Sequence, residues 1–158
     1  GSFTGVRIAT AVTQGLAFGI NVPVLPISTL ATLAQGAMRR GHVNRVLVAI
    51  DARRDEVYFG AFEADEQGIA SASGQETVGP LREVNLPQGD WALAGEGWRV
   101  YGDAAVGLLA DRGISGDSDE SYPHASHTLT LAMRAFANAD AVPAAQAVPV
   151  YLRDQVTR

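Results

Sequence analysis

Between residues 6 and 20 the chain is apolar except at Arg7, Thr10, Thr13 and Gln14, and Arg7, Thr10 and Gln14 fall on one narrow strip at helical spacing. The pattern predicts a helix with almost no polar face, which must be covered on nearly every side. Ile8, Val12, Leu16 and Ile20 repeat every fourth residue, and Ala11, Gly15 and Gly19 form a row of small residues beside them. Small residues at that spacing let another helix approach closely, ridge into groove. One side of the helix therefore suits the chain's own core, and another stripe suits a partner. Thr4 is placed to cap the helix. Arg7 sits in the first turn, where the positive end of the helix dipole disfavours a cation, so a carboxylate or anion is expected nearby.

Beyond this helix, residues 22–27 read as a short apolar strand. Ser28 caps a second helix running to about Arg40, where Arg39 and Arg40 suit a C-terminus closed by Gly41. Residues 45–51 form a buried-type strand, 56–63 another with apolar residues on both faces, and 69–78 a weaker, polar third of edge composition. Turns at 51–55 and 64–68 make these an antiparallel meander. A strand at 91–94, the loop Gly95-Glu96-Gly97, a helix from about Trp98 to Asp111 and an extended piece near Ile114 follow. A polar loop at 116–121 precedes a helix at about 125–138, and an alanine- and proline-rich stretch leads to the closing residues 148–153. The class is α/β.

Composition narrows the function. The 158 residues suffice for one domain or two small lobes, burying roughly 70% of the unfolded chain's surface. There is no cysteine and no lysine, so all twelve basic residues are arginine. That removes thiol nucleophiles, disulfides, cysteine metal sites, Schiff-base chemistry and a P-loop lysine. A net charge of −5 argues against gripping a nucleic acid directly, since phosphate binding needs a basic face. With no apolar run of membrane-spanning length and no charged leader with a cleavage site, the cytoplasm is the expected compartment.

Candidate chemistry is sparse. His124 and His127 are spaced to share a helix face, but no third metal ligand is suggested beside them. Asp51, Asp55 and Glu56 resemble an acid–base set, yet Arg53 and Arg54 stand between them, which favours a solvated, self-compensating turn. Gly1-Ser2-Phe3-Thr4-Gly5 does not have the spacing of a nucleophile elbow. Gly95 and Gly97 sit between strand and helix, where backbone amides suit a phosphate, although Glu96 between them repels one.

Four blocks carry a resemblance: residues 1–8 (GSFTGVRI), 24–30 (VLPISTL), 51–58 (DARRDEVY) and 149–153 (PVYLR). In that order and spacing they resemble the bacterial TsaB (YeaZ) family from end to end. The resemblance implies an actin-like (ASKHA) fold, here an RNase H-like lobe with a three-stranded antiparallel meander plus alternating helices and strands. It divides the chain into residues 1–42, a remnant of the first lobe, and 43–158, the second lobe. The family's chain begins earlier, and its glycine motif usually reads Gly-Pro-Gly-Ser-Phe-Thr-Gly. Most of the first lobe is therefore expected to be missing, and the apolar surface of the opening helix to be more exposed.

The same resemblance implies a non-catalytic scaffold subunit of the machinery that puts threonylcarbamoyl on the adenosine next to the anticodon of certain tRNAs. Its partners there are the catalytic TsaD, which binds metal and nucleotide, the ATPase TsaE and, functionally, TsaC. A homodimer is a further expectation, tRNA is met only indirectly, and this chain itself takes no cofactor. Carried over residue by residue, the partner interface falls on Phe3, Thr4, Val6, Arg7, Thr10, Ala11 and Gln14. Asp51, Arg53, Arg54 and Glu56 form a candidate docking turn, and Gly95 and Gly97 are weaker candidates for nucleotide contact. The alternatives are a glycoprotease-like hydrolase, an actin-like ATPase and a freestanding homodimeric binding module.

Overall fold

The computed structural model describes residues 3–110, 114–117 and 122–153, and these group into two compact units. The larger, Ser28–Leu131, is built on a six-stranded sheet. Its strands are β1 (Arg45–Arg53), β2 (Glu56–Ala64), β3 (Ala70–Ala72), β4 (Thr77–Pro80), β5 (Trp91–Ala94) and β6 (Ile114–Asp117), in the order β3-β2-β1-β5-β6, with β4 also paired to β2. β1 and β2 are antiparallel, while β1, β5 and β6 run parallel. An antiparallel meander thus feeds a parallel half-sheet in which β1 over 46–49 and β5 are buried on both faces, which is why 46–49 and 91–94 read as unbroken apolar runs.

Helix α2 (Thr29–Gly41) packs on β1, β2, β3 and β5 through Leu30, Leu33, Ala34, Ala37 and Met38, all buried. Ser28 caps it as expected, its Oγ accepting from the amides of Leu30 and Ala31 and donating to the Glu76 carboxylate. Closure comes one residue later than expected, at His42 with φ 50°, because it is His42 rather than Gly41 that turns left-handed. Gln35 is buried among these apolar residues. Its amide donates to Gly68 O at 3.0 Å and accepts from Ala70 N at 2.9 Å, tying the β2–β3 turn to the helix.

On the other sheet face, Leu47, Ala49, Val57, Phe59, Trp91 and Leu93 form one core with Trp98 and Ala105. The helix expected over 98–111 is broken into α3 (Gly97–Val100) and α4 (Gly102–Leu109). The break falls at Tyr101, whose backbone leaves the helical region (φ −108°, ψ 41°) and whose hydroxyl is tied to Asp51, with the flexible Gly102 next to it. The expected third strand is likewise two pieces, interrupted around Gly74 at φ 128°. Helix α5 (Ala125–Ala137) starts in this unit, where Thr128 Oγ1 lies 3.4 Å from Thr32 Oγ1.

The smaller unit contains helix α1 (Phe3–Gly19), residues up to Ile27, and the chain from Ala132 onward. Thr4 lies inside α1 rather than capping it, since the helix already includes Phe3. Residues 22–27 do not form a strand. Only Val24 pairs, exchanging both backbone hydrogen bonds with Val142 at 2.8 Å, because Pro23 and Pro26 on either side have no amide to donate.

Candidate docking surfaces

Helix α1 has two unlike faces. Towards its own unit it turns Val6, Thr10 and Gln14, all half-buried, and the buried Ala17. Gln14 Nε2 donates to Ala147 O at 3.1 Å, and Arg7 Nε donates to the Tyr151 hydroxyl at 3.0 Å with the guanidinium 5.8 Å from that ring. The polar strip read from the sequence is thus where the closing segment of the chain docks. The expectation that α1 is covered on nearly every side holds for this side alone, because the closing segment is what this unit brings against it.

The opposite face is open. Ile8, Val12 and Leu16 remain 60, 55 and 66% exposed, and Phe18 81%. Thr4, Ala11, Gly15 and Gly19 lie exposed on the same face, and a Cβ added at Gly15 or Gly19 would meet nothing within 4 Å. A ridge of branched side chains therefore borders a shallow groove of small ones, with no charged residue in either. Covering Ile8, Val12 and Leu16 is worth roughly 3–6 kcal/mol before the costs of association. Of the expected interface residues, Thr4 and Ala11 lie on this open face, and Val6, Arg7, Thr10 and Gln14 on the side that meets the closing segment. Phe3 opens the helix, its side chain lying outside the described residues, as do Gly1 and Ser2. Sequence reasoning did not place Ile8, Val12 and Leu16 in the candidate interface, although their four-residue repeat was the available signal.

The β1–β2 turn is a second distinctive surface. Arg53, Arg54 and Asp55 all have left-handed backbones, with φ 64, 58 and 59°. A two-residue hairpin loop of this kind favours Asn-Gly or Asp-Gly, and each ordinary side chain held there costs about 1 kcal/mol. Asp51 secures the conformation. Its Oδ1 accepts from Arg53 N and from the Tyr101 hydroxyl, both at 2.8 Å, and its Oδ2 pairs with the Arg53 guanidinium at 3.0 Å. Burial pushes the Asp51 carboxyl up, but the Arg53 amide, the Tyr101 hydroxyl and the Arg53 guanidinium outweigh it and hold it below its ordinary value. The hydrogen bond to Asp51, followed by burial, pushes Tyr101 up to about 12. The structure therefore gathers Asp51, Arg53 and Arg54 at one turn, with Glu56 paired across the strands to Arg53.

Gly95 and Gly97 have a packing reason to be glycine. Gly95 has φ 91°, and a Cβ there would collide with the Ala49 carbonyl oxygen; one on Gly97 would stand 2.8 Å from the same carbonyl. His124 and His127 lie with ring centroids 6.0 Å apart, His124 Nδ1 being 2.8 Å from Ser126 Oγ. Among the described residues no three of His, Asp or Glu are grouped to hold a metal ion.

These observations define a class: an α/β lobe of RNase H-like topology accompanied by a helix with an exposed apolar face. A family description reading "TsaD: tRNA N6-adenosine threonylcarbamoyltransferase" matches residues 1–156. The TsaB protein of Escherichia coli (strain K12), a tRNA threonylcarbamoyladenosine biosynthesis protein, is 40% identical over 163 residues, covering 99% of this chain and 68% of that protein. Its namesake from Haemophilus influenzae is 34% identical over the same shares of each chain. Among solved structures, YeaZ from Pseudomonas aeruginosa superposes with a TM-score of 0.86 at 42% identity, over 96% of this chain and 70% of that one. A further Pseudomonas aeruginosa structure, of an uncharacterized protein similar to peptidase YeaZ, gives 0.87 at 43%, over 97% and 69%. The chain belongs to the TsaB (YeaZ) family of tRNA threonylcarbamoyladenosine biosynthesis proteins, with the actin-like fold.

Proposed function

We propose that this chain is an accessory, non-catalytic subunit of the assembly that installs threonylcarbamoyl on tRNA, and that it grips the catalytic TsaD-type transferase through the open face of α1. The observation that carries this reading is the uncharged ridge of Ile8, Val12 and Leu16 beside the groove of Ala11, Gly15 and Gly19, exposed on a helix whose other side is already engaged. Contiguous apolar surface of this kind marks protein contact sites. The acidic balance of the chain supports an indirect relation to tRNA. An ATPase of the TsaE type and a TsaC-type enzyme complete the proposed pathway, in the cytoplasm; among the described residues no helix is long and apolar enough to cross a membrane.

The test is light scattering after size exclusion, on the protein as expressed from its own gene mixed with the transferase of the same organism. A one-to-one complex is expected, weakened at least a hundredfold by Val12→Glu. Absence of any complex, or full binding by the variant, overturns the assignment; turnover by the protein alone would overturn its non-catalytic part. A second reading, a homodimer through the same face, is favoured by the self-complementarity of ridge and groove. It predicts a stable dimer that the transferase does not dissociate.

A further inference from the structure

The junction between α3 and α4 leaves backbone groups unsatisfied. Helical hydrogen bonds run from Val100 N to Glu96 O and from Tyr101 N to Gly97 O, and resume only with Ala105 N to Tyr101 O. Among the described residues the three between are not formed, those that would carry the amides of Gly102, Asp103 and Ala104 to the carbonyls of Trp98, Arg99 and Val100. No side chain caps the start of α4 in their place, although orphan groups at a helix end ordinarily find such a partner. The break has no steric cause in the backbone. No proline lies within 97–109, Gly102 is not on left-handed backbone, and a Cβ added there would meet nothing within 4 Å. What holds Tyr101 out of helical geometry, at φ −108° and ψ 41°, is its hydroxyl, which donates to Asp51 Oδ1 at 2.8 Å.

We propose that the Tyr101–Asp51 hydrogen bond is a conformational latch: while it is closed α3 and α4 stay apart, and when it opens they anneal into one helix over 97–109. A hydrogen bond to a carboxylate is among the stronger kinds, and Gly102 weakens the continuous helix. Against these two stand three unmade backbone hydrogen bonds, so the kinked and continuous arrangements are closely balanced. A cleft of about 460 Å³, bordered by Leu93, Trp98, Ala105 and Leu109 among others, gives α4 room to realign. Asp51 is held at the same time by the Arg53 amide and guanidinium. One carboxylate therefore joins the α3–α4 segment to the β1–β2 turn, and a disturbance of Asp51 at the turn is felt as a change of helix geometry.

The experiment is native-state amide hydrogen exchange on the protein as expressed from its own gene, with wild type, Tyr101→Phe, Gly102→Ala and the double variant, read as protection factors at residues 102–104. Tyr101→Phe opens the latch and is expected to slow exchange there at least tenfold, while the amides of β1 and β5 do not slow. Gly102→Ala leaves the latch closed but favours the continuous helix, and is expected to slow the same amides by a smaller factor. The double variant is the most protected. The sign separates a latch from a hydrogen bond that merely stabilises packing, because loss of the latter would speed exchange throughout 97–109. Protection at 102–104 that is unchanged or lowered in Tyr101→Phe overturns the latch, whatever Gly102→Ala does. Absence of slowing in the double variant overturns it as well, since neither the hydrogen bond nor the glycine would then be what keeps the helices apart.

Discussion

At Tyr101 the fold and a proton are linked. Its hydroxyl donates to Asp51, so ionising it would set two negative charges against one another, and it titrates only at about 12 rather than 10.0. A raised folded-state value contributes stability that is complete below the unfolded value and lost as pH rises through the folded one. Unfolding stability is therefore expected to fall between pH 10 and 12. Tyr101→Phe should lose that alkaline dependence and cost about 1 kcal/mol at neutral pH, measured by urea denaturation across the range. Asp51 works in the opposite direction. Its lowered value means that its contribution is present above about pH 3.8 and lost as acid takes pH through the folded value, and Asp51→Asn should flatten that limb. Gly95→Ala is a steric rather than an electrostatic test: the new methyl meets the Ala49 carbonyl on a left-handed backbone, and a loss of about 3 kcal/mol or more is expected in the same assay. The Gly-x-Gly spacing was visible in the sequence, but the close approach of β1 that requires it was not. The turn at 51–55 was legible, but its left-handed backbone at Arg53 and Arg54 was not, because arginine has no intrinsic preference for that region.

Elements were legible where one periodicity ruled a whole segment. The apolar runs of β1 and β5, the two-faced burial of β2, and α2 between Ser28 and its arginines all follow from local pattern. One failure came where a non-local contact overrode it, the tether from Tyr101 to Asp51 at the break between α3 and α4; the other came from a local signal, the prolines beside Val24 that limit pairing to one residue. Gln35 is such a non-local device on α2. Gln35→Leu would leave Ala70 N–H and Gly68 C=O unpaired, so a loss of about 2–4 kcal/mol is expected, with amide exchange at Ala70 accelerating first. On α1, Gly15→Ala separates the free helix from the bound one. Its Cβ meets nothing in this fold, so the substitution should stabilise the chain alone by up to about 1 kcal/mol. If a partner helix settles into the small-residue groove, the same methyl should weaken the complex. A melting curve and a binding isotherm on one variant thus report opposite signs.

For the whole molecule, two properties compete. A net charge of −5 keeps copies apart, whereas the open face of α1 and the exposed Val148 and Val150 favour association. Salt screens the repulsion over about 10 Å at 0.1 M and leaves the apolar attraction intact. In isolation the chain is therefore expected to show an apparent mass that rises with concentration, more steeply in high salt. Light scattering on wild type and on a double variant, Ile8→Glu with Leu16→Glu, decides whether the α1 ridge is responsible. Both changes lie on exposed positions and add negative charge, so the variant should remain monomeric at concentrations where wild type associates, with its circular dichroism unchanged. Association that persists in the variant would assign self-contact to another surface and free the α1 face for the transferase alone. Association abolished together with transferase binding would mean that both compete for one face, so that the balance between copies and partner is set by their concentrations.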